Sequence, residues 1–380
     1  MRKLNNDKKY FANLDGLRFI LAFVVFASHS LLGESLNRVI KVDFINRLIT
    51  VFSSGHLGVS FFLVLSGFLI TYLMFEEKEA TQKFNLKNFY IRRTFRIWPL
   101  YFCVLAFSFF VYPIVKEALG YVDQNPFRLL YQALFLSNFD SIVVHHNNLV
   151  KVSPLMISIN WSVSIEEQFY LIWPIIFLSI ATRKFWMVCV ILILSSWLFR
   201  IYNYEDGGVL YYHTLSVVSD LAIGGLGAYL SFFNKPFLNF FKQLNGSAIM
   251  VVYCIGLGVI MYNDLLFNAF FIQTTFRIFQ ALFFCFIILE QNYSEHSRYK
   301  IGNSQWLSSL GKYTYALYML HPIGIQAAII FFRYAGFAQD KSIYFSLLYA
   351  GISFVVSMSL SVASYYLLER HFLGWRKFFY

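Results

Sequence analysis

Two basic side chains in the first apolar segment are spaced to lie on one face of a helix. Ten residues separate Arg18 from His29. Eleven helical steps of about 100° make three turns plus roughly 20°, which puts the two residues about 16 Å apart along the axis. If Arg18 marks the membrane surface, His29 lies near mid-membrane, where ionisable groups usually line a bundle interior or a wet cavity. A neutral imidazole there can take a proton from a hydroxyl group. A histidine that only forms a hydrogen bond with a neighbouring helix is an equally favoured alternative.

A second group of basic residues precedes the third apolar segment. Arg92, Arg93 and Arg96 lie within five residues. Residues three or four apart are neighbours on a helix, so the three guanidinium groups would form a compact cluster. Such a cluster suits phosphate oxygens, which arginine binds bidentately. Taken alone, the residues favour the alternative of positively charged anchors at a membrane surface.

A polar run, NWSVSIEEQ at 160–168, opens the fourth apolar segment. Ser164 and Glu167 have the spacing of a capping box, which predicts that they begin a helix. Glu166 has no such role. A carboxylate within an apolar segment needs a partner, and an inward-facing arginine or histidine is the expected one.

Four more polar residues lie within or at the end of apolar segments. Asp220 is expected to pair with an arginine of the bundle, and Arg277 is expected to be such a partner or to extend toward the membrane surface. Pro322 follows His321 and frees a backbone carbonyl, so a histidine bonded at a kink and a catalytic histidine are equal alternatives. Glu369 is expected at the membrane interface that closes the last segment.

The elements that position these residues must be membrane helices. Of 380 residues, 58% are hydrophobic and 13% are charged, whereas soluble domains carry about 25% charged residues. The chain therefore needs lipid as the solvent for most of its surface. The four cysteines, Cys103, Cys189, Cys254 and Cys285, all fall in apolar runs and are expected to be small core residues rather than disulfides or metal ligands.

Helices of about 20 apolar residues cross a bilayer, and the sequence predicts an all-α transmembrane bundle of about ten spans. The predicted spans are Leu14–Leu32, Gly55–Met74, Ile97–Val115, Trp161–Ala181, Phe185–Tyr202, Thr214–Phe233, Ser247–Tyr262, Ala269–Leu289, Tyr313–Phe332 and Ile343–Leu368. The first is interpreted as a retained helix rather than a cleaved signal peptide. The apolar segment 127–139 is too short to span and is expected to be re-entrant or interfacial.

The basic residues predict how the chain is oriented. With ten spans, 21 of the 31 lysines and arginines fall on the side that carries both termini, which are therefore expected to be cytoplasmic. The net charge of +11 is spread over several loops, so it reflects topology, and no nucleic-acid partner is expected. No motif requires a metal.

In combination, these motifs resemble the integral-membrane O-acyltransferases of the acyltransferase-3 family along nearly the whole chain. The matching segments, in order, are Leu14–Arg18 with His29, Gly58–Phe68, Arg92-Arg93-x-x-Arg96 with Pro99, Trp161-Ser162-x-x-x-Glu166 with Phe169-Tyr170, Leu310-Gly311 through His321, and Glu369. Two positions depart from the pattern, because Ser60 stands where many members have Asp and His371 where many have Pro.

The resemblance implies a ten-helix fold in a bacterial inner membrane, with acyl-CoA, commonly acetyl-CoA, as the cytosolic donor. It implies acceptors that are cell-surface or lipid-linked glycans, such as lipopolysaccharide O-antigen, exopolysaccharide or peptidoglycan. It also marks Arg18 with His29, and the arginine cluster, as the expected functional positions. Residues 1–380 are expected to form a single membrane domain, without the extracytoplasmic hydrolase-like domain of some members.

The resulting hypothesis is an O-acyl transfer. Arg92, Arg93 and Arg96, with Arg18, hold the phosphates of the donor, while His29 acts as general base or receives the acyl group transiently. Glu166 orients a group of the site or balances its charge. The alternative function is a transporter or flippase for an anionic or sugar-linked substrate, since a helix bundle with buried charges is compatible with both.

Overall fold

The fold is a bundle of helices that differ widely in length. The computed structural model describes residues 11–30, 32, 36–37, 40, 42–120, 126–148, 157–336 and 342–379, and every regular element within them is helical. In chain order the α-helices are α1 (Ala12–His29), α2 (Asp43–Phe52), α3 (Gly55–Thr81), α4 (Leu86–Ala106), α5 (Tyr112–Ala118), α6 (Leu129–Ala133), α7 (Ser137–His146), α8 (Asn160–Ser179), α9 (Phe185–Tyr202), α10 (Gly207–Tyr212), α11 (Thr214–Phe233), α12 (Lys235–Gln243), α13 (Gly246–Met261), α14 (Asn263–Leu266), α15 (Ala269–Thr274), α16 (Phe276–Tyr293), α17 (Gln305–Leu310), α18 (Thr314–Tyr334), α19 (Ile343–Ser364) and α20 (Arg370–Trp375). Five-residue π-helical segments follow α4 (Phe107–Val111) and α19 (Tyr365–Glu369).

Six helical segments in the described residues are long and apolar enough to cross a membrane, or seven if the pair α12 and α13, bent by 95°, is one span. The six are Gly55–Thr81, Leu86–Ala118, Thr182–Tyr202, Gly207–Phe233, Gln305–Tyr334 and Ile343–Trp375. The predicted all-α membrane bundle is confirmed, but six or seven spans meet these criteria rather than ten. The other three predicted spans are also helical, as α1, α8 and α15 with α16. They carry Arg18, His29, Glu166 and Arg277.

Helix α3 lies at the centre of the bundle. In its most apolar stretch 78% of the residues are buried, compared with 22% for Thr182–Tyr202 and 28% for Ile343–Trp375. The latter two present most of their surface outward, where lipid replaces protein. The first turn of α3 lies beside the end of α1, because a Cβ at Gly55 would come 2.6 Å from Ser28 Oγ. The two helices therefore run antiparallel.

Helices α3 and α11 approach each other through two glycines. A Cβ on Gly67 would lie 2.0 Å from the carbonyl oxygen of Leu221, and a Cβ on Gly224 would lie 2.0 Å from that of Val64. Both oxygens belong to backbone, which cannot rotate away as a side chain can. The close helix–helix contact at the centre of the bundle therefore requires glycine, which has no side chain, at positions 67 and 224.

A buried ion pair joins α11 to α16 beside this contact. Arg277 donates to both carboxylate oxygens of Asp220, at 3.0 and 2.6 Å, and Ser60 donates to the same carboxylate at 2.8 Å. Asp220 is 0% and Arg277 2% exposed, so the predicted pairing of Asp220 with a bundle arginine is confirmed. Ser60, at the position where many family members have Asp, serves here as a hydrogen-bond donor to Asp220.

Two local predictions are corrected, for the start of α8 and for the cysteines, and the segment 127–139 is helical but too short to span, as predicted. Helix α8 begins at Asn160 without a side-chain cap, so Ser164 and Glu167 do not start it, and the Ser164 hydroxyl instead bonds that of Ser137 at 2.6 Å. The segment 127–139 holds α6 and the start of α7, separated by a turn at Phe135 with φ of 54°. All four cysteines are free, but only two are buried, whereas Cys103 and Cys254 are exposed.

Candidate active site

Five helices line a cavity of about 120 Å³ that holds several polar and charged side chains. The lining side chains come from α1, α3, α4, α8 and the N-terminal part of α18. Its polar lining residues are Arg18, Ser66, Arg93, Arg96, Ser162, Glu166, Tyr170, Thr314, Tyr315 and Tyr318. The cavity therefore collects residues that are up to 300 positions apart in the sequence, including four of the six predicted from sequence: Arg18, Arg93, Arg96 and Glu166.

One wall of the cavity is strongly basic. Arg18, Arg93 and Arg96 all line it. Arg18 also holds Asp15 in an ion pair at 2.7 Å, and the Arg93 guanidinium lies over the ring of Tyr170 at 5.5 Å. Three guanidinium groups around one cavity in a low-dielectric bundle create a local positive potential that attracts phosphate or another polyanionic group.

Arg92 points away from this cavity and is not among its lining residues. Its guanidinium donates to a carboxylate oxygen of Glu77 at 2.6 Å and to the backbone oxygen of Phe379 at 2.7 Å. On a helical wheel Arg96 lies between Arg92 and Arg93, so Arg96 can share the cavity with Arg93 while Arg92 faces the other way. The structure thus divides the predicted arginine cluster, and Arg92 connects α4 to the end of α3 and to the C-terminal residues.

Glu166 is held by two hydroxyl groups rather than by the arginine or histidine expected from the sequence. Ser66 Oγ lies 2.5 Å from Glu166 Oε1 and 2.5 Å from the Tyr170 hydroxyl, and Tyr170 also donates to Glu166 Oε1. The three side chains come from two helices and fix the carboxylate in the cavity wall. Sequence reasoning did not name Ser66 or Tyr170 as site residues, although both stand inside motifs that carry the family resemblance.

His29 lies outside the lining of the cavity, at the last residue of α1, and it contacts His321 of α18. His321 Nε2 and His29 Nδ1 are 3.1 Å apart, and the two rings stack with centroids 5.1 Å apart. The lining of the cavity comes near the two histidines. Val59 and Tyr318 line the cavity. Val59 lies about one helical turn, roughly 5.4 Å, from Gly55 beside His29, and Tyr318 lies about the same distance from His321. The sequence named each histidine but did not predict that they meet.

Glu369, which the sequence predicts at the membrane interface, is a buried residue near the end of the last predicted span. It is 6% exposed and accepts a hydrogen bond from Ser364 Oγ at 3.1 Å. It belongs to the π-helical segment that follows α19. Among the described residues, no group of three or more histidine, cysteine, aspartate or glutamate side chains is placed to hold a metal ion.

The comparison with known protein families decides what class of protein presents this cavity. Residues 11–366 match the family model described as an acyltransferase domain, Acyl_transf_3. The chain belongs to the acyltransferase-3 family. The resemblance drawn from the motifs is thereby confirmed at the level of the family.

Several relatives in this family carry names that describe O-acetyl transfer. The chain is 31% identical over 247 residues to the peptidoglycan O-acetyltransferase OatA of Listeria monocytogenes, an alignment that covers 62% of this chain and 36% of the relative. It is 28% identical over 335 residues to Staphylococcus aureus proteins named as candidate O-acetyltransferases, covering 82% of this chain and 50% of each relative. The chain thus spans half or less of the length of these relatives. No solved structure matches it.

Proposed function

We propose that this membrane domain transfers an acetyl group from cytosolic acetyl-CoA to a hydroxyl group of a cell-envelope glycan. The observation that carries the proposal is the cavity lined by Arg18, Arg93 and Arg96, whose lining extends to Val59 and Tyr318, about one helical turn from the residues beside His29. Its basic end suits the phosphates of CoA, and its other end lies close to a base suited to a hydroxyl acceptor. The name of the Listeria relative favours peptidoglycan as the acceptor, with O-antigen, exopolysaccharide and lipid-linked glycans as the other candidates.

The donor enters from the cytoplasm in this proposal. If all ten predicted helical segments cross the membrane, 21 of 31 basic residues lie on the side of the termini, which favours cytoplasmic termini in a bacterial cell membrane. Because α1 and α3 are antiparallel, the start of α1, the end of α3 and the start of α4 lie on that same side. Arg18, Arg93 and Arg96 belong to these ends and are well placed to hold phosphates at a cytosolic opening.

The pantetheine arm then runs along the cavity toward His29. Glu166, fixed by Ser66 and Tyr170, balances the positive charge of the arginine wall. Arg92 is assigned a structural role, through Glu77, instead of the phosphate contact that the sequence predicts.

The acetyl group is transferred by attack of the acceptor hydroxyl on the thioester, with His29 as the base. The acceptor hydroxyl gives its proton to the His29 imidazole while its oxygen attacks the thioester carbonyl, forming the C–O bond. The C–S bond then breaks, and the departing thiolate takes the proton from His29, which restores the neutral imidazole. The products are an O-acetylated glycan and free CoA.

The test is acetyl transfer by purified protein in proteoliposomes. Radiolabelled acetyl-CoA is supplied on the side of the termini, and glycan fragments are supplied first on one side of the membrane and then on the other. We expect alkali-labile label on the glycan together with one equivalent of free CoA. Vesicles without protein and vesicles with His29→Ala are the controls.

Two results would overturn the proposal. Accumulation of unmodified glycan across the membrane without acetyl-CoA would identify a transporter. Transfer of a different acyl group to the glycan from another acyl-CoA, with no transfer from acetyl-CoA, would refute the assigned donor.

A further inference from the structure

A proline in α18 leaves one backbone carbonyl without its helical partner. Pro322 has no N–H, so the carbonyl of Tyr318, four residues earlier, lacks the usual i to i−4 hydrogen bond. His321 Nδ1 lies 2.7 Å from that carbonyl oxygen and 3.2 Å from the carbonyl oxygen of Leu317. The histidine side chain thus replaces the bond that the proline removes.

This contact fixes the tautomer of His321. A carbonyl oxygen only accepts hydrogen bonds, so Nδ1 of His321 carries the proton and donates it. In the neutral ring Nε2 then has a lone pair. Since the side chain is 1% exposed, the neutral ring is the form that burial favours. The ring is also held in place, because Phe26 packs edge-on against it with centroids 6.5 Å apart.

The lone pair of His321 and the carbonyl oxygen of Val25 together fix the tautomer of His29. His29 Nδ1 is 3.1 Å from His321 Nε2 and 3.0 Å from the carbonyl oxygen of Val25. Both neighbours are acceptors, so Nδ1 of His29 must carry the proton that they share. Nε2 of His29 is therefore unprotonated, with its lone pair directed away from His321.

We propose that His321 is a positioning residue that holds His29 in the one tautomer whose Nε2 can accept a proton from the acceptor hydroxyl. The inference deepens the proposed function and rests on it for the role of His29. Of the two rings, His29 is partly exposed and His321 is fully buried, so only His29 can reach a substrate. Pro322, Tyr318 and His321 form the support behind it.

Paired substitutions at His321 separate this role from simple packing. In His321→Gln the side-chain oxygen can take the place of Nε2 and accept from His29, whereas the shorter side chain of His321→Asn can bond the Tyr318 carbonyl but cannot reach His29. We expect His321→Asn to lower kcat for acetyl transfer about 10- to 100-fold, as loss of an orienting partner does at other histidines. KM for acetyl-CoA should stay within about twofold, and His321→Gln should retain most of the wild-type kcat.

A second measurement reads the tautomer directly and needs no activity. The wild-type protein, labelled with ¹⁵N and ¹³C at its eight histidines, is examined by solid-state NMR in bilayers. The resonances of His29 are assigned by their loss in His29→Gln. We expect His29 with a protonated Nδ1 and an unprotonated Nε2, and a mixture of tautomers in His321→Asn.

The outcomes distinguish this inference from the proposed function. An Nε2-protonated His29 in the wild type would overturn the inference, as would equal losses of kcat in the glutamine and asparagine variants. The expected tautomer together with rescue by glutamine supports it. Absence of acetyl transfer by the wild type would refute the proposed function alone, and the NMR result would still decide whether His321 fixes the tautomer of His29.

Discussion

Two arginines one helical turn apart on α4 should have different effects when each is replaced by glutamine. Arg96 lines the cavity, whereas Arg92 bonds Glu77 and the backbone of Phe379 outside it. A hydrogen bond to a charged group contributes about 1.5 to 3 kcal/mol, and about 1.4 kcal/mol corresponds to a factor of ten. Arg96→Gln should therefore weaken acetyl-CoA binding roughly 10- to 150-fold.

The same reasoning predicts a different loss for Arg92→Gln. This change removes an ion pair whose side chains are 12% and 22% exposed, so it should lower thermal stability while leaving acetyl-CoA affinity within about threefold of the wild type. The two variants are a matched pair, because they change the same residue type on the same helix. An effect of general charge loss on protein folding would appear in both.

The assay measures both binding and turnover. Equilibrium binding of radiolabelled acetyl-CoA to purified protein gives Kd, and initial rates of glycan acetylation give kcat and KM, which need not equal Kd. Thermal stability comes from the fraction of monodisperse protein that survives heating. If Arg92→Gln weakened binding as much as Arg96→Gln, the assignment of the donor site to this cavity would be incorrect.

Two further predictions concern the packing that holds the site together. Gly67→Ala places a Cβ 2.0 Å from the Leu221 carbonyl oxygen and should destabilise the bundle by about 1 to 3 kcal/mol. The control Gly258→Ala, whose Cβ meets nothing within 4 Å, should leave stability unchanged. Equal heat stability of the two variants would contradict the close helix contact. Arg277→Met leaves the buried Asp220 carboxylate without its cation and should cost about 3 to 5 kcal/mol. Adding Asp220→Leu should restore part of that stability, and a double variant no more stable than the single one would argue against a direct ion pair.

The sequence predicted the helices well because composition and charge spacing report them directly. Each of the ten predicted apolar segments overlaps a helix in the structure, since lipid requires backbone groups to bond within the segment. The number that pass as spans is smaller because α1, α8 and α16 combine apolar faces with ionisable residues. The length of such a helix therefore does not decide whether it is classified as a membrane span.

The site was predicted in part. Arg18, Arg93, Arg96 and Glu166 do line one cavity, because each is an ionisable residue on an apolar helix and such groups gather inside a bundle. The division between Arg92 and Arg93 could not be predicted, since both lie within reach of Arg96 on a helical wheel. Which one enters the cavity depends on where Glu77 and the C-terminal residues lie.

The contact between His29 and His321 also lay beyond the sequence. The two residues are 292 positions apart, and no local pattern indicates that α1 and α18 are neighbours. Pro322 was a sign that His321 had an unusual backbone environment, and the structure shows the freed carbonyl that the side chain bonds. The structure shows His321 bonded at the kink and also in contact with His29, so the kink role is confirmed while a catalytic role stays a prediction.

The central claim is that His29 performs the proton transfer of acetylation, and single-turnover kinetics of His29→Ala test it most directly. Protein in bilayers is first saturated with radiolabelled acetyl-CoA, and the rate of label transfer to added glycan is then followed. The account predicts that His29→Ala binds acetyl-CoA within about twofold of the wild type but transfers acetyl at least about 100-fold more slowly, the usual contribution of a general base. Transfer by well-folded His29→Ala at a rate within about threefold of the wild type would contradict the account.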